Sequence, residues 1–151
     1  MIYKIRKLCG VVVNVYNILD IINFYKSFSK YKHYTDEEIL LHILPSIKLN
    51  QYHIKVENSN IYSFVNWAYL SEAEEHHFIK TNTMKDSAWH SGGNVWVIDF
   101  IASKNVPDIT KWLKEYFTTF LGFDKKVKWS RVYNGKIIHK TFYTKESFLN
   151  G

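Results

Sequence analysis

Residues 94–102, Asn94-Val95-Trp96-Val97-Ile98-Asp99-Phe100-Ile101-Ala102, follow a Gly92-Gly93 pair and set one carboxylate inside an otherwise continuous apolar run. β-Branched and aromatic residues in a run this short read as a strand covered on both faces, so Asp99 should be largely desolvated. An unpaired buried carboxylate costs several kcal/mol, and it must find hydrogen-bond donors, hold a proton, or face a wet cleft. An acid so placed is a candidate functional residue.

The rest of the chain supplies elements to cover that strand. Thr35-Asp36-Glu37-Glu38 reads as a capping box opening a helix through Leu40, Leu41 and Ile43, which Pro45 should terminate. Gln51–Val56 and Ile61–Trp67 are β-rich runs around a polar four-residue turn, Glu57-Asn58-Ser59-Asn60. Ser71 and Glu74 repeat the capping-box pattern and predict a helix over Glu72–Ile79. After the Asp99 strand, Pro107 leads into a stripe of Ile109, Trp112, Leu113, Tyr116, Phe117 and Phe120 that Gly122 ends. Val127–Tyr133 and Lys136–Phe142 flank Asn134-Gly135, a two-residue turn that suits a hairpin. The order predicts an α+β fold with a mainly antiparallel central sheet flanked by helices.

At 151 residues, 46% hydrophobic and 17% aromatic, the chain suits one domain over 1–151. The lone Cys9 excludes an internal disulfide and suits a reducing compartment, which points to the cytoplasm; a small buried hydrophobe is its usual fate, and it is a poor candidate nucleophile. Lys4, Arg6 and Lys7 ahead of Leu8–Val13 imitate a secretory signal, but Asn14, Asn17 and Asp20 interrupt the apolar residues, and stable membrane insertion is not expected. Residues 1–30 read as a leading segment passing into an amphipathic helix with Ile18, Ile21, Ile22, Tyr25 and Phe28 inward. The net charge of +6 favours an acidic partner. Lys125, Lys126, Lys128 and Arg131 alternate with Val127 and Trp129 as the solvated face of a strand, and no nucleic-acid partner is expected. Adjacent His76 and His77 diverge on a helix, and no spacing predicts a metal site.

Three segments resemble, in order, the RTX toxin-activating lysine acyltransferases, the family of the hemolysin activator, over about residues 25–140. Ile43-Leu44-Pro45-Ser46-Ile47-Lys48-Leu49-Asn50-Gln51-Tyr52 is similar to V-L-P-A-I-R-x-N-Q-Y, and Trp67-Ala68-Tyr69-Leu70-Ser71 to W-A-x-L-S. Trp89, Ser91, Gly92, Trp96, Ile98, Asp99, Ile101 and Ala102 follow W-x-S-G-x-x-x-W-x-I-D-W-I-A. Residues 1–24 would form an extension ahead of the match. The resemblance implies a GNAT-like fold that moves a fatty acyl chain from acyl-carrier protein, the donor substrate, to an internal lysine of an RTX protoxin, with no bound cofactor and a possible homodimer. It also implies a catalytic histidine near the N-terminus and a catalytic aspartate, assigned to His33 and Asp99. Counting back from Pro45 without a gap puts Tyr31 at the histidine position, a two-residue shift restores His33, and His42 stands where the family has asparagine; Tyr31 and His42 are therefore the alternatives to His33.

For that chemistry a base must take the proton of a lysine whose pKa is near 10.4. A histidine can do so, with an aspartate on its far nitrogen, and a backbone N–H of the Val95–Ala102 strand could hold the thioester oxyanion where a splayed sheet leaves it unpaired. Ser91-Gly92-Gly93 is either a phosphopantetheine cradle or a turn. The rivals are a non-catalytic relative that binds carrier or toxin, and a small-molecule N-acyltransferase using acyl-CoA.

Overall fold

The computed structural model describes residues 2–6 and 13–150; Cys9, Leu8 and Gly10–Val12 lie outside the described residues. Strands β1 (Ile2–Arg6) and β2 (Val13–Asn17) pair antiparallel as a separate ribbon, so the leading segment contains strands that the sequence reading did not anticipate. Then come α1 (Ile18–Lys26), a 3-10 turn at Ser29–Tyr31, α2 (Asp36–Lys48), β3 (Tyr52–Glu57), β4 (Asn60–Leu70) and α3 (Glu72–Thr81). Then follow β5 (Asn94–Ala102), α4 (Val106–Leu121), β6 (Lys126–Tyr133), β7 (Lys136–Tyr143) and a 3-10 turn at Glu146–Leu149. Strands β3 to β7 form one sheet in sequence order, antiparallel except for the β5–β6 pair. Among the described residues no helix is long and apolar enough to cross a membrane.

Local chemistry explains most boundaries. Thr35 and Glu38 exchange both capping-box bonds at the start of α2. Pro45 does not end α2, contrary to the sequence expectation. A mid-helix proline costs about 3 kcal/mol, but Ile43 and Ile47 are buried on the inner face, and that packing carries the helix on to Lys48. The carbonyls of Pro45, Ser46 and Ile47 are then met by the amides of Leu49, Gln51 and Asn50. At α3 only half of the expected box forms. Ser71 accepts from the Glu74 amide, while the Glu74 carboxylate turns away to Lys85 at 3.1 Å. The β3–β4 turn is tighter than the sequence suggested, since Asn58 and Ser59 both adopt positive φ between paired Glu57 and Asn60.

Strand alternation sorts the sheet into two faces. Helices α1 and α2 cover Phe64 and Ile101 on one, with α3 packed further along against Ala68, Leu70 and Trp96. On the other, Ile109, Leu113 and Phe117 of α4 cover Val65, Trp67, Val95 and Val97. The basic residues of β6 are not one solvated face as the sequence suggested. Lys128 lies toward α3, bonded to Glu75 at 3.0 Å, whereas Arg131 lines a cleft on the other face.

Candidate active site

Asp99 reaches the α1–α2 face because β5 carries a bulge. Trp67 pairs with Val97 but Asn66 pairs with Asp99, so Ile98 is the extra residue. Val95 and Val97 face α4, and strict alternation would send Asp99 after them. The bulge turns it over instead. Its backbone N–H donates to Asn66 Oδ1 at 2.8 Å, and Asn66 Nδ2 donates to Ser46 Oγ at 3.1 Å, which ties the bulge to α2.

The carboxylate is 5% exposed and accepts three side-chain bonds. Tyr25 of α1 donates its hydroxyl to Oδ2 at 2.8 Å, and Tyr31 of the 3-10 turn donates to Oδ1 at 3.1 Å. His42 Nε2 lies 2.7 Å from Oδ2. Burial pushes the Asp99 pKa up, but the His42 bond and charge, with the two hydroxyls, outweigh it and hold the carboxyl below its ordinary value. Burial and the Asp99 charge raise both tyrosines, which keeps them protonated donors. For His42, burial pulls the pKa down and Asp99 pulls it up, and the carboxylate prevails. An ionised carboxylate only accepts, so Nε2 carries the hydrogen. In the neutral ring, Nδ1 is then the free base.

The ring beside Asp99 is therefore that of His42 and not that of His33. His33 sits exposed in the turn after Tyr31, with no described partner, because the 3-10 turn spends its inward position on Tyr31. His42 reaches the site from α2, one turn after Glu38. Tyr31, the other sequence alternative, holds Asp99 as a hydrogen-bond donor. Tyr25 was expected only as an apolar position on α1. Asn66 was passed over, although a polar residue within Phe64-Val65-Asn66-Trp67-Ala68 carries the same signal as Asp99 itself.

β5 and β6 part company beside this site. Their register runs from Val95 with Val127 to Val97 with Trp129 and stops. A cleft of about 720 Å³ opens beyond it, lined by Val97–Ala102, Phe28, Leu113, Lys114, Trp129 and Arg131 among others. A second cleft of about 400 Å³ is lined by His42, Glu38, Phe78, Val132 and Ile137, and shares Lys30, Tyr31, Val97, Ile98, Asp99 and Ser130 with the first.

The three motif segments knit together around the site. Gln51 Nε2 donates to the carbonyls of Trp67 and Trp89, and Oε1 meets His90 Nδ1 at 2.8 Å. Ser91 Oγ accepts from the Ser71 amide, and a Cβ on Gly92 would fall 2.5 Å from Ser71 Cα. That close approach to Ser71 is why only glycine fits at Gly92. Among the described residues no group of metal-ligating side chains is assembled.

A family model described as the RTX toxin acyltransferase family matches residues 12–140, starting ahead of the segment in which the motifs lie. The chain is 27% identical over 103 residues to the RTX-II toxin-activating lysine-acyltransferase ApxIIC of Actinobacillus pleuropneumoniae, across 67% of this chain and 64% of that protein. It is 26% identical over 97 residues to the leukotoxin-activating lysine-acyltransferase LktC of Pasteurella haemolytica-like sp. (strain 5943B), across 58% of this chain and 59% of that protein. The matches thus span less than two thirds of the length of these relatives.

Proposed function

Because this chain belongs to the RTX toxin acyltransferase family, we propose that it transfers a fatty acyl group from a thioester on acyl-carrier protein to internal lysines of an RTX protoxin. The observation that carries the reading is the 2.7 Å bond between His42 and buried Asp99 at the point where β6 leaves β5. We take the bulge and the parted strands as the sheet of a GNAT-like fold. The cytoplasm is the compartment this donor implies, and a homodimer is the assembly the resemblance implies.

His42 Nδ1 takes the acceptor proton as the lysine nitrogen attacks the thioester carbon, and Asp99 stabilises the imidazolium that results. The C–N bond forms, the C–S bond breaks, and the carrier thiolate leaves and takes up a proton. Asp99 directs its own N–H to Asn66 on β4, so strand alternation turns the Phe100 N–H toward the edge that β6 has left, where it can hold the oxyanion. The apolar walls of the larger cleft, Phe28, Val106, Leu113 and Phe142, suit an acyl chain.

The test is transfer of a labelled fatty acyl group from charged acyl-carrier protein to an RTX protoxin, with acyl-CoA as the competing donor. Transfer that requires Asp99 supports the proposal. Binding of carrier or toxin with no transfer favours the non-catalytic alternative, to which Tyr31 at the family's histidine position lends support. Use of acyl-CoA with a small amine favours the third reading.

A further inference from the structure

The two clefts that meet at Asp99 differ in charge. The larger sets Lys30, Lys114 and Arg131 against Asp99 alone. The smaller sets Glu38 and Asp99 against Lys30 and His42, and Lys30 there lies over the Tyr31 ring, 5.2 Å from its centroid. Glu38 and His42 are one helical turn apart on α2 and share a face. The Glu38 side chain is held in place by its cap, with Oε2 accepting the Thr35 amide at 2.8 Å. The rim of this cleft is apolar and open: Tyr34, Val132 and Ile137 are 49%, 67% and 46% exposed. Val132 and Ile137 stand directly opposite each other across β6 and β7. Single exposed apolar residues are ordinary on a protein surface. Three around a cleft that His42 lines form a docking rim.

We propose that the smaller cleft is the entry for the acceptor, an extended polypeptide segment carrying a lysine between apolar residues, and that Glu38 receives the lysine ammonium. The assignment rests on the transferase reading for its meaning but not for its test. A cation arriving along α2 meets the Glu38 carboxylate before His42, whereas Lys114 and Arg131, which line the larger cleft alone, repel it. The apolar flanks of the segment cover Tyr34, Val132 and Ile137.

The probe is a synthetic peptide with one central lysine flanked by leucine and glycine, titrated into the full chain without donor and followed by NMR. Shifts confined to Glu38, His42, Val132 and Ile137 are expected, and shifts at Leu113 and Phe142 in the larger cleft would overturn the proposal. Glu38→Gln keeps a capping partner for Thr35 but removes the charge, and it should weaken the peptide about fivefold, the upper range for a partly exposed ion pair. Glu37→Gln loses the same charge from the same helical turn outside the cleft and should bind like the original. Ile137→Lys should weaken binding further, by about tenfold, through like-charge repulsion and lost apolar contact. Unchanged affinity in Glu38→Gln overturns the assignment whatever the acyl-transfer assay gives. Peptide binding at the smaller cleft without any acyl transfer sinks the transferase reading and leaves this site standing.

Discussion

The two sides of β5 are built differently. Toward β4 its pairing runs the full length of the strand, from Ala102 with Ser63 to Asn94 with Leu70, interrupted only by the bulge. Toward β6 the pairing stops at Val97. The complete side fixes where Asp99 points, through the bulge and Asn66, and the incomplete side leaves room for something to reach it. Both are needed, because a carboxylate aimed by a rigid ladder is useful only where the sheet does not close over it.

Asp99→Asn strikes the point where the two sides meet. The amide cannot accept three donors, and it no longer fixes the hydrogen on His42 Nε2. Transfer should fall about 10⁴-fold, the scale seen when a histidine loses its orienting carboxylate. Circular dichroism should show the same fold, and near-wild-type transfer would remove Asp99 from the chemistry. His42→Ala removes the base itself and should cost about 10²–10⁴-fold in kcat/KM. His33→Ala should leave the rate within about twofold, since an exposed side chain with no partner among the described residues has little to lose. The reverse outcome, with His33 essential and His42 dispensable, would mean that the turn after Tyr31 rearranges when substrate binds.

Several elements could be read from the residues because their signals are local. The Thr35 cap, the Asn134-Gly135 hairpin and the α4 stripe each declare themselves within a dozen positions, and Asp99 declares itself as the acid in an apolar run. The bulge at Ile98 could not be read, because register is a property of two strands and Asn66 lies far from Asp99 in sequence. The choice of ring was hidden for a similar reason: whether His33 or His42 meets Asp99 depends on how the chain turns between α1 and α2. Pro45 misled because local preference predicts a stop, while the burial of Ile43 and Ile47 is decided by tertiary packing. Lys128 looked solvated until α3 supplied Glu75.

In the core behind the sheet the expected consequence is stability rather than rate. Ile109→Ala on α4 empties a fully buried position against Val65 and Val97. It should cost about 2–5 kcal/mol in denaturant unfolding. The pH profile of transfer should keep its midpoint. A moved midpoint would show that the α4 face is coupled to His42, and the division between framework and site would fail.

Tyr31→Phe is the gentlest probe and the most discriminating. It deletes one donor to Asp99 Oδ1 and leaves Tyr25 and His42 in place. With one hydrogen bond fewer, the carboxylate attracts the His42 proton more strongly, so an imidazole pKa already above its ordinary value rises further. The base must be neutral to act, so transfer climbs as pH rises through that pKa. In the original protein the acid limb should lie above about 6.5, the unperturbed histidine value, and in Tyr31→Phe it should move to higher pH. At neutral pH this is a loss of about tenfold, the lower end for a hydrogen bond to a charged group, recovered in alkaline buffer. Stability runs the other way. A histidine raised on folding contributes stability that is fully present below its unfolded pKa and is lost as pH rises through the folded one. The same buffers should therefore show transfer increasing while resistance to urea declines. If Tyr31→Phe loses rate at every pH with no movement of the limb, the hydroxyl acts directly on the thioester, and Tyr31 rather than the carboxylate behind it is what the open side of the sheet exposes.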